Sequence, residues 1–404
     1  MRFVHRGVGR SGAGRRGPRE RPSRGVGRLA SRDEALYNDD VPVKDHHYSQ
    51  HAAALRTELG RTLPRQQLQA FHQKNGIRHL LITVRQFAIL ALATWGLIVW
   101  TNPLVWVPLA FVHGFTVFNF TVLLHEVVHH TVFDRRRPRA ERFLAWLYAV
   151  PSGISSSQFT RWHLDHHAEL GSTEDDPKRH HLSPKINARW FKLLYASPAL
   201  FPIYFRAARK ENATYPPALQ RQIAFERQIS IVTHVSALAI IWAFAGVPGA
   251  LRAYLVPVFF VFPVAFALNR LGQHYDIDPS DPAKWGTLMR GHWFWDFAFL
   301  NSNYHLEHHY FPGVPFYRLA ALQKALVPFY DRHGMRWQTY SGLIYGWLVE
   351  NRAPHTNWHE SVADCGLRIA ESTVNPHRHD DIVDRGMRNI DSTSNPQSAI
   401  RNPQ

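Results

Sequence analysis

Between Gln86 and Leu124 the chain runs for 39 residues without one Asp, Glu, Lys or Arg. As helix, at 1.5 Å per residue, that is about 58 Å, close to two crossings of a hydrocarbon layer roughly 30 Å thick. Thr101-Asn102-Pro103 supplies a turn between them. A soluble protein can bury one apolar helix, but two in succession read as a transmembrane hairpin. A second apolar region, Gln228 to Asn269, is interrupted only by Arg252, just past Gly246-Val247-Pro248-Gly249, and reads as another hairpin. Each hairpin returns the chain to the side it left. The expected fold is therefore all-α and polytopic, with about four transmembrane helices in two hairpins and a cytosolic helical cap.

The histidines gather on that cap. His305, His308 and His309 stand at i, i+3 and i+4, one face of a helix. His163, His166 and His167 repeat the spacing, and His125, His129 and His130 give a related one at i, i+4 and i+5. Nine imidazoles without a cysteine among them suit borderline metals such as iron or zinc rather than an Fe–S cluster, Mg²⁺ or Ca²⁺. Taken singly, His113, His234, His292 and the pair His180-His181 read as hydrogen-bonded or solvated histidines. Glu126, Asp165 and Glu307 lie inside the clusters, and with Asn269 they are candidates to orient ligating rings. His125-Glu126-Val127-Val128-His129 also satisfies the H-E-x-x-H pattern of a zinc protease with Glu126 as base. That reading leaves the other two clusters idle. A metal transporter is the non-enzyme alternative, but its ligands are expected near the bilayer midplane, whereas these clusters sit outside the spans.

The formal charge of +16 is concentrated in the tails and loops, with ten arginines within residues 1–32. Such charge fits nucleic acid or an anionic membrane surface; beside apolar spans, the membrane is the expected partner and nucleic acid is not. Arg135-Arg136-Arg137-Pro138-Arg139 at the end of the second span places that end, the histidine clusters and both termini in the cytoplasm. The basic start has no apolar stretch behind it, unlike a secretory signal peptide. The one cysteine, Cys365, excludes a disulfide framework and a thiolate metal site. Residues 1–50 read as a disordered basic extension, 51–350 as the functional domain, and 351–404 as a disordered polar tail with a weak 20-residue repeat. From His51 to Arg78, Leu55, Leu59, Leu63, Leu68 and Phe71 mark an amphipathic helix expected on the membrane surface. Residues 143–151 are apolar but too short to cross, and read as interfacial or re-entrant.

Together these motifs resemble the membrane fatty acid desaturase family and its related lipid and carotenoid hydroxylases and ketolases. His125, His129 and His130 match the first of the family's three histidine boxes, His163, His166 and His167 the second, and His305, His308 and His309 the third. His274, 31 residues ahead of the third box, is similar to the family's additional ligand. The resemblance covers about residues 75–330. It implies that these ten histidines hold two iron ions (Fe²⁺/Fe³⁺), that O₂ is co-substrate, and that a separate ferredoxin or cytochrome b5-type protein delivers electrons. The implied activity is introduction of a double bond into a fatty acyl or lipid chain, with hydroxylation or ketolation as the alternative. The implied place is a bacterial inner membrane or the endoplasmic reticulum. The third box begins with His305 rather than Gln, a departure from front-end desaturases.

Overall fold

A computed structural model describes residues 46–172, 175–178, 183–278 and 280–355. Residues 1–45 of the expected 1–50 extension, Glu174, the pair His180-His181, Cys365 and residues 356–404 of the expected 351–404 tail lie outside the described residues. Among the described residues there are helices and no strand. Three segments among the described residues are long and apolar enough to cross a membrane: Arg65–Val99, Pro103–Val128 and Pro217–His274.

The first helices are α1 (His47–His51), α2 (Ala53–Thr62), α3 (Arg65–Phe71), α4 (Gly76–Val99) and α5 (Pro103–Val128). Asn75 caps α4 by accepting the Arg78 N–H at 2.9 Å, and Asn102 caps α5 by accepting that of Leu104 at 3.0 Å. Pro103 follows as the first residue of α5, where a missing N–H costs nothing. The turn thus falls where Thr101-Asn102-Pro103 predicts it, and α4 and α5 pack along each other. The membrane-surface expectation for residues 51–78 is corrected. Leu55, Leu59 and Leu63 are buried in the core, and α2 packs on the later helix Phe316–Arg332. Protein, not lipid, covers that stripe.

Next come α6 (Pro138–Ala149), α7 (Ser156–Ala168), α8 (Arg189–Leu194), α9 (Leu200–Asn212) and α10 (Pro217–Ala250). Ser155 caps α7 through the Gln158 N–H, and Glu226 of α10 ties down the same end. Its carboxylate accepts from the Ser155 and Ser157 hydroxyls, each at 2.6 Å, and from the Ser157 N–H at 3.0 Å. A break in α10 falls at Gly246 (φ 65°, ψ −173°), a backbone conformation open to glycine, within the predicted Gly246-Val247-Pro248-Gly249 turn. Beyond it, two π-helical turns, Leu251–Leu255 and Pro257–Val261, lead into α11 (Phe262–His274). Gly114 of α5 lets this stretch approach closely: a Cβ there would lie 2.6 Å from Val261 and 2.8 Å from the Pro257 carbonyl.

The last α-helices are α12 (Trp293–Ala298), α13 (His305–Tyr310), α14 (Phe316–Arg332) and α15 (Tyr340–Ile344), and a π-helical turn, Tyr345–Val349, follows them. The main core gathers around the second half of α5, where Phe120, Leu123 and Leu124 are inaccessible to solvent. On the outer flank, Ile231, Val232, Val235, Ile240, Trp242 and Phe244 of α10 are exposed. This apolar surface continues the pattern of a helix facing lipid.

Candidate metal centre and its cavity

The C-terminal ends of α5 and α11 meet α7 and α13, and nine histidines converge there in two groups. His125, His129, His163, His167 and His308 form the first; His166, His274, His305 and His309 form the second. Within each group one ring nitrogen per residue lies within 4.8 Å of all the others. Each group mixes chain segments that are far apart in sequence.

The hydrogen bonds fix where the protons sit. His166 donates from Nδ1 to Asp176 Oδ1 (2.9 Å), and His274 donates from Nδ1 to the Trp285 carbonyl (2.8 Å). A neutral imidazole that donates at Nδ1 presents a bare lone pair at Nε2. The two Nε2 atoms nonetheless face each other at 3.2 Å, and His305 Nε2 lies 3.1 Å from that of His274 and 3.0 Å from that of His309. Lone pairs so opposed repel unless a cation lies between them. Nitrogens about 2.1 Å from one ion, at right angles, are about 3 Å apart, so the spacing fits.

The first group has its own unspent atom, His125 Nε2, which is buried without a hydrogen-bond partner. His129 and His163 approach Nε2 to Nε2 at 2.6 Å, and His167 and His308 at 3.1 Å. Burial, reinforced by neighbouring rings and Lys178, pushes the imidazoles of His163, His305, His308 and His309 far below the ordinary histidine range. Neutral rings are what metal ligation requires.

His130 lies outside both groups. Helix α5 stops at Val128, and His130 adopts a left-handed conformation (φ 53°) that turns its ring to Glu141, 3.0 Å from Nδ1. Position i+5 does not share the face of i and i+4, so the third member of the first cluster departs from the other two. Of the residues expected to orient ligands, Glu126 reaches His125 Nδ1 at 3.4 Å, and its other oxygen accepts from the Thr131 hydroxyl and the Phe316 N–H. A carboxylate so committed is poorly placed to act as the free base of an H-E-x-x-H protease. Asp165 accepts from Arg161, and Asn269 joins Ser302 and Gln273. Glu307 accepts from Gln323 and Tyr330, while burial pushes its carboxyl up to about 7. Asp176 and the Trp285 carbonyl, which hold the two rings just described, were not among the expected residues. Nor was Lys178, whose Nζ lies 3.0 Å from His163 Nδ1. Asp176 stands in the acidic run Glu174-Asp175-Asp176, the one signal that could have pointed to it.

A cavity of about 410 Å³ opens beside the first group, with His125, His163, His305 and His308 in its wall. Phe118, Phe201, Phe262 and Phe266 line its length, and exposed Ile231 and Val235 stand on its outer flank. The fatty acid desaturase family model matches residues 104–341, which include α5, both histidine groups and the cavity wall. The chain belongs to the fatty acid desaturase family. It is an integral membrane oxidoreductase acting on lipids. Among curated relatives, the human sphingolipid delta(4)-desaturase/C4-monooxygenase DES2 is 25% identical over 246 residues, covering 58% of this chain and 69% of that protein. Its bovine counterpart is 27% identical over 225 residues, 53% of this chain and 63% of that protein. The Drosophila melanogaster sphingolipid delta(4)-desaturase DES1 is 26% identical over 240 residues, 58% of this chain and 70% of that protein. This desaturase therefore places two nitrogen groups at the wall of a deep apolar cavity.

Proposed function

We propose that the protein is a di-iron, O₂-dependent desaturase that introduces a double bond into a lipid acyl chain held in the cavity. The nine converging histidines would hold the two ions, five at one and four at the other, with His130 outside. The observation that carries this reading is the set of opposed Nε2 lone pairs whose Nδ1 protons are committed to Asp176 and the Trp285 carbonyl. Iron bound there supplies dioxygen activation and the one-electron steps that no side chain can perform on an unactivated C–H bond. The protein's part is positional. Aromatic walls hold a methylene chain against the ligand groups and exclude water, and Asp176 keeps the His166 proton on Nδ1.

The lipid enters sideways. Ile231 and Val235, on the flank of the cavity, are more than half exposed and belong to an apolar segment long enough to span a bilayer. A chain already dissolved in the membrane reaches the cavity without crossing water. Four crossings are proposed, because the 58-residue segment Pro217–His274 is broken at Gly246 and is long enough for two. Both termini and the histidines then face the cytoplasm, where exposed Arg135, Arg136, Arg206 and Lys210 offer a basic surface to an acidic electron donor. A second reading, oxygen insertion, draws support from the DES2 relatives, whose name joins a desaturase to a C4-monooxygenase.

The test is lipid mass spectrometry of cells producing this chain with a ferredoxin reducing system, beside a His309→Ala control. Acyl chains lighter by two hydrogens in the wild type alone are expected. A gain of one oxygen would move the protein to the second reading. No change with iron-replete protein and a working donor would overturn both.

A further inference from the structure

One wall of the cavity carries a directed chain of hydrogen bonds. Arg270 donates from Nη1 to Gln273 Oε1 (2.9 Å), Gln273 donates from Nε2 to Asn269 Oδ1 (2.7 Å), and Asn269 donates from Nδ2 to Ser302 Oγ (2.7 Å). All four residues line the cavity that His305 and His308 also line. The direction is forced. A guanidinium has no acceptor, so Gln273 must meet it with oxygen, which turns its amide nitrogen to Asn269, and the same logic passes along to Ser302. Having accepted one bond, the Ser302 hydroxyl keeps its proton to give. Among the described residues no acceptor takes it. The guanidinium at the far end, 93% buried by its 7% relative exposure, polarises the chain toward that free donor. Arg270 Nε is itself buried without a partner.

Ser302 is also aimed by an unusual turn. Leu300 (φ 47°) and Asn301 (φ 58°) are consecutive left-handed residues without a glycine, and the Ser302 N–H closes the turn on the Phe299 carbonyl at 2.9 Å. Asparagine adopts that conformation readily, but a bulky residue such as Leu300 holds it only where its surroundings impose it. Three residues later comes His305. A plain methylene chain against this wall would leave the polarised donor unmatched, whereas an oxygen on the chain would accept from it.

We infer that Ser302, backed by Asn269, Gln273 and Arg270, is a specificity-determining donor that selects lipids bearing a hydroxyl or carbonyl oxygen beside the carbons to be oxidised. The inference rests on the proposed reading of the cavity as the acyl site. Its direct test is displacement of a pyrene-labelled acyl chain from the purified full-length protein in lipid nanodiscs. The competitors are N-octanoyl sphinganine and its 3-deoxy counterpart, which differ by one oxygen. In the wild type the oxygenated lipid is expected to displace the probe at tenfold or more lower concentration. Ser302→Ala should bring the two lipids to near parity by weakening only the oxygenated one, Gln273→Leu should narrow the gap, and Ser302→Thr should restore it. Equal displacement by the two lipids in the wild type, or equal weakening of both by Ser302→Ala, would overturn the inference and leave the acyl cavity standing. Failure of both lipids to displace the probe would overturn the cavity reading and the inference together.

Discussion

Asp176 shows how much can depend on one residue beyond the converging histidines. It accepts the His166 proton at 2.9 Å and also the Lys178 N–H at 3.0 Å, so the loop that follows α7 is pinned to the ring it orients. Removing such a partner typically weakens metal binding about tenfold to a hundredfold. Asp176→Ala is therefore expected to lose metal that much more readily in a chelator titration, with near-native helicity; unchanged retention would show the contact to be idle. No helical or strand period links Asp176 to His166, and the Trp285 carbonyl has no side-chain signature at all. The convergence of the histidine clusters was legible because α7 and α13 have a 3.6-residue period, whereas His130 parts from its two neighbours because α5 ends two residues before it. His355 gives a residue-scale test of pH. Burial, with the Arg270 charge adding, pushes its imidazole down from 6.5 to about 3. The unfolded chain thus takes up a proton first as pH falls, and stability is lost below about 6.5. Going from pH 7.5 to 5.5 should cost about 1.4 kcal/mol through this group. His355→Gln, which can still donate to the Arg270 carbonyl, should remove that share of the shift in thermal unfolding. An identical pH response in both proteins would refute the assignment.

Helices transmit position to the site through two close fits. Glu226 ties α10 to the first turn of α7, and a glutamine there keeps only one of the two accepting oxygens while presenting an amide to serine donors. Glu226→Gln should cost about 2 kcal/mol of stability and lower the unfolding temperature in detergent. The contact of Gly114 with Val261 and the Pro257 carbonyl leaves no room for a methyl group, and part of what blocks it is backbone. Gly114→Ala should cost about 1–3 kcal/mol by forcing α5 away from the π-helical turn. A melting temperature equal to the wild type's would mean the two segments separate freely. The turn at Asn102 and the break at Gly246 could be read from residue type, since Asn, Pro and Gly act through their own backbone chemistry. The fate of the Leu55 and Leu59 stripe could not. Amphipathicity gives the angle of an apolar face but not whether lipid or another helix will cover it, and here α14 does.

In the whole molecule, the cavity and the candidate metal centre are adjacent, and they are expected to be separable. Val117 lies two turns before His125 on α5, about 12 Å along the helix, and lines the cavity. Val117→Trp should therefore leave metal content intact while reducing turnover of long acyl chains at least tenfold, measured on the same purified sample. Loss of metal together with turnover would show that the two regions are one mechanical unit. The interleaving of the two nitrogen groups has a consequence for biogenesis. The first group waits for His308, and the second for His305 and His309, so neither is whole until the ribosome has passed α13 and the last apolar segment has entered the bilayer. On the proposed metal reading, the full set of imidazoles is therefore assembled only late in synthesis. A nascent or clipped chain that stops short of residue 300 presents only partial clusters of imidazoles, and on the proposed reading tight retention of metal would mark a chain synthesised and inserted at least through α13.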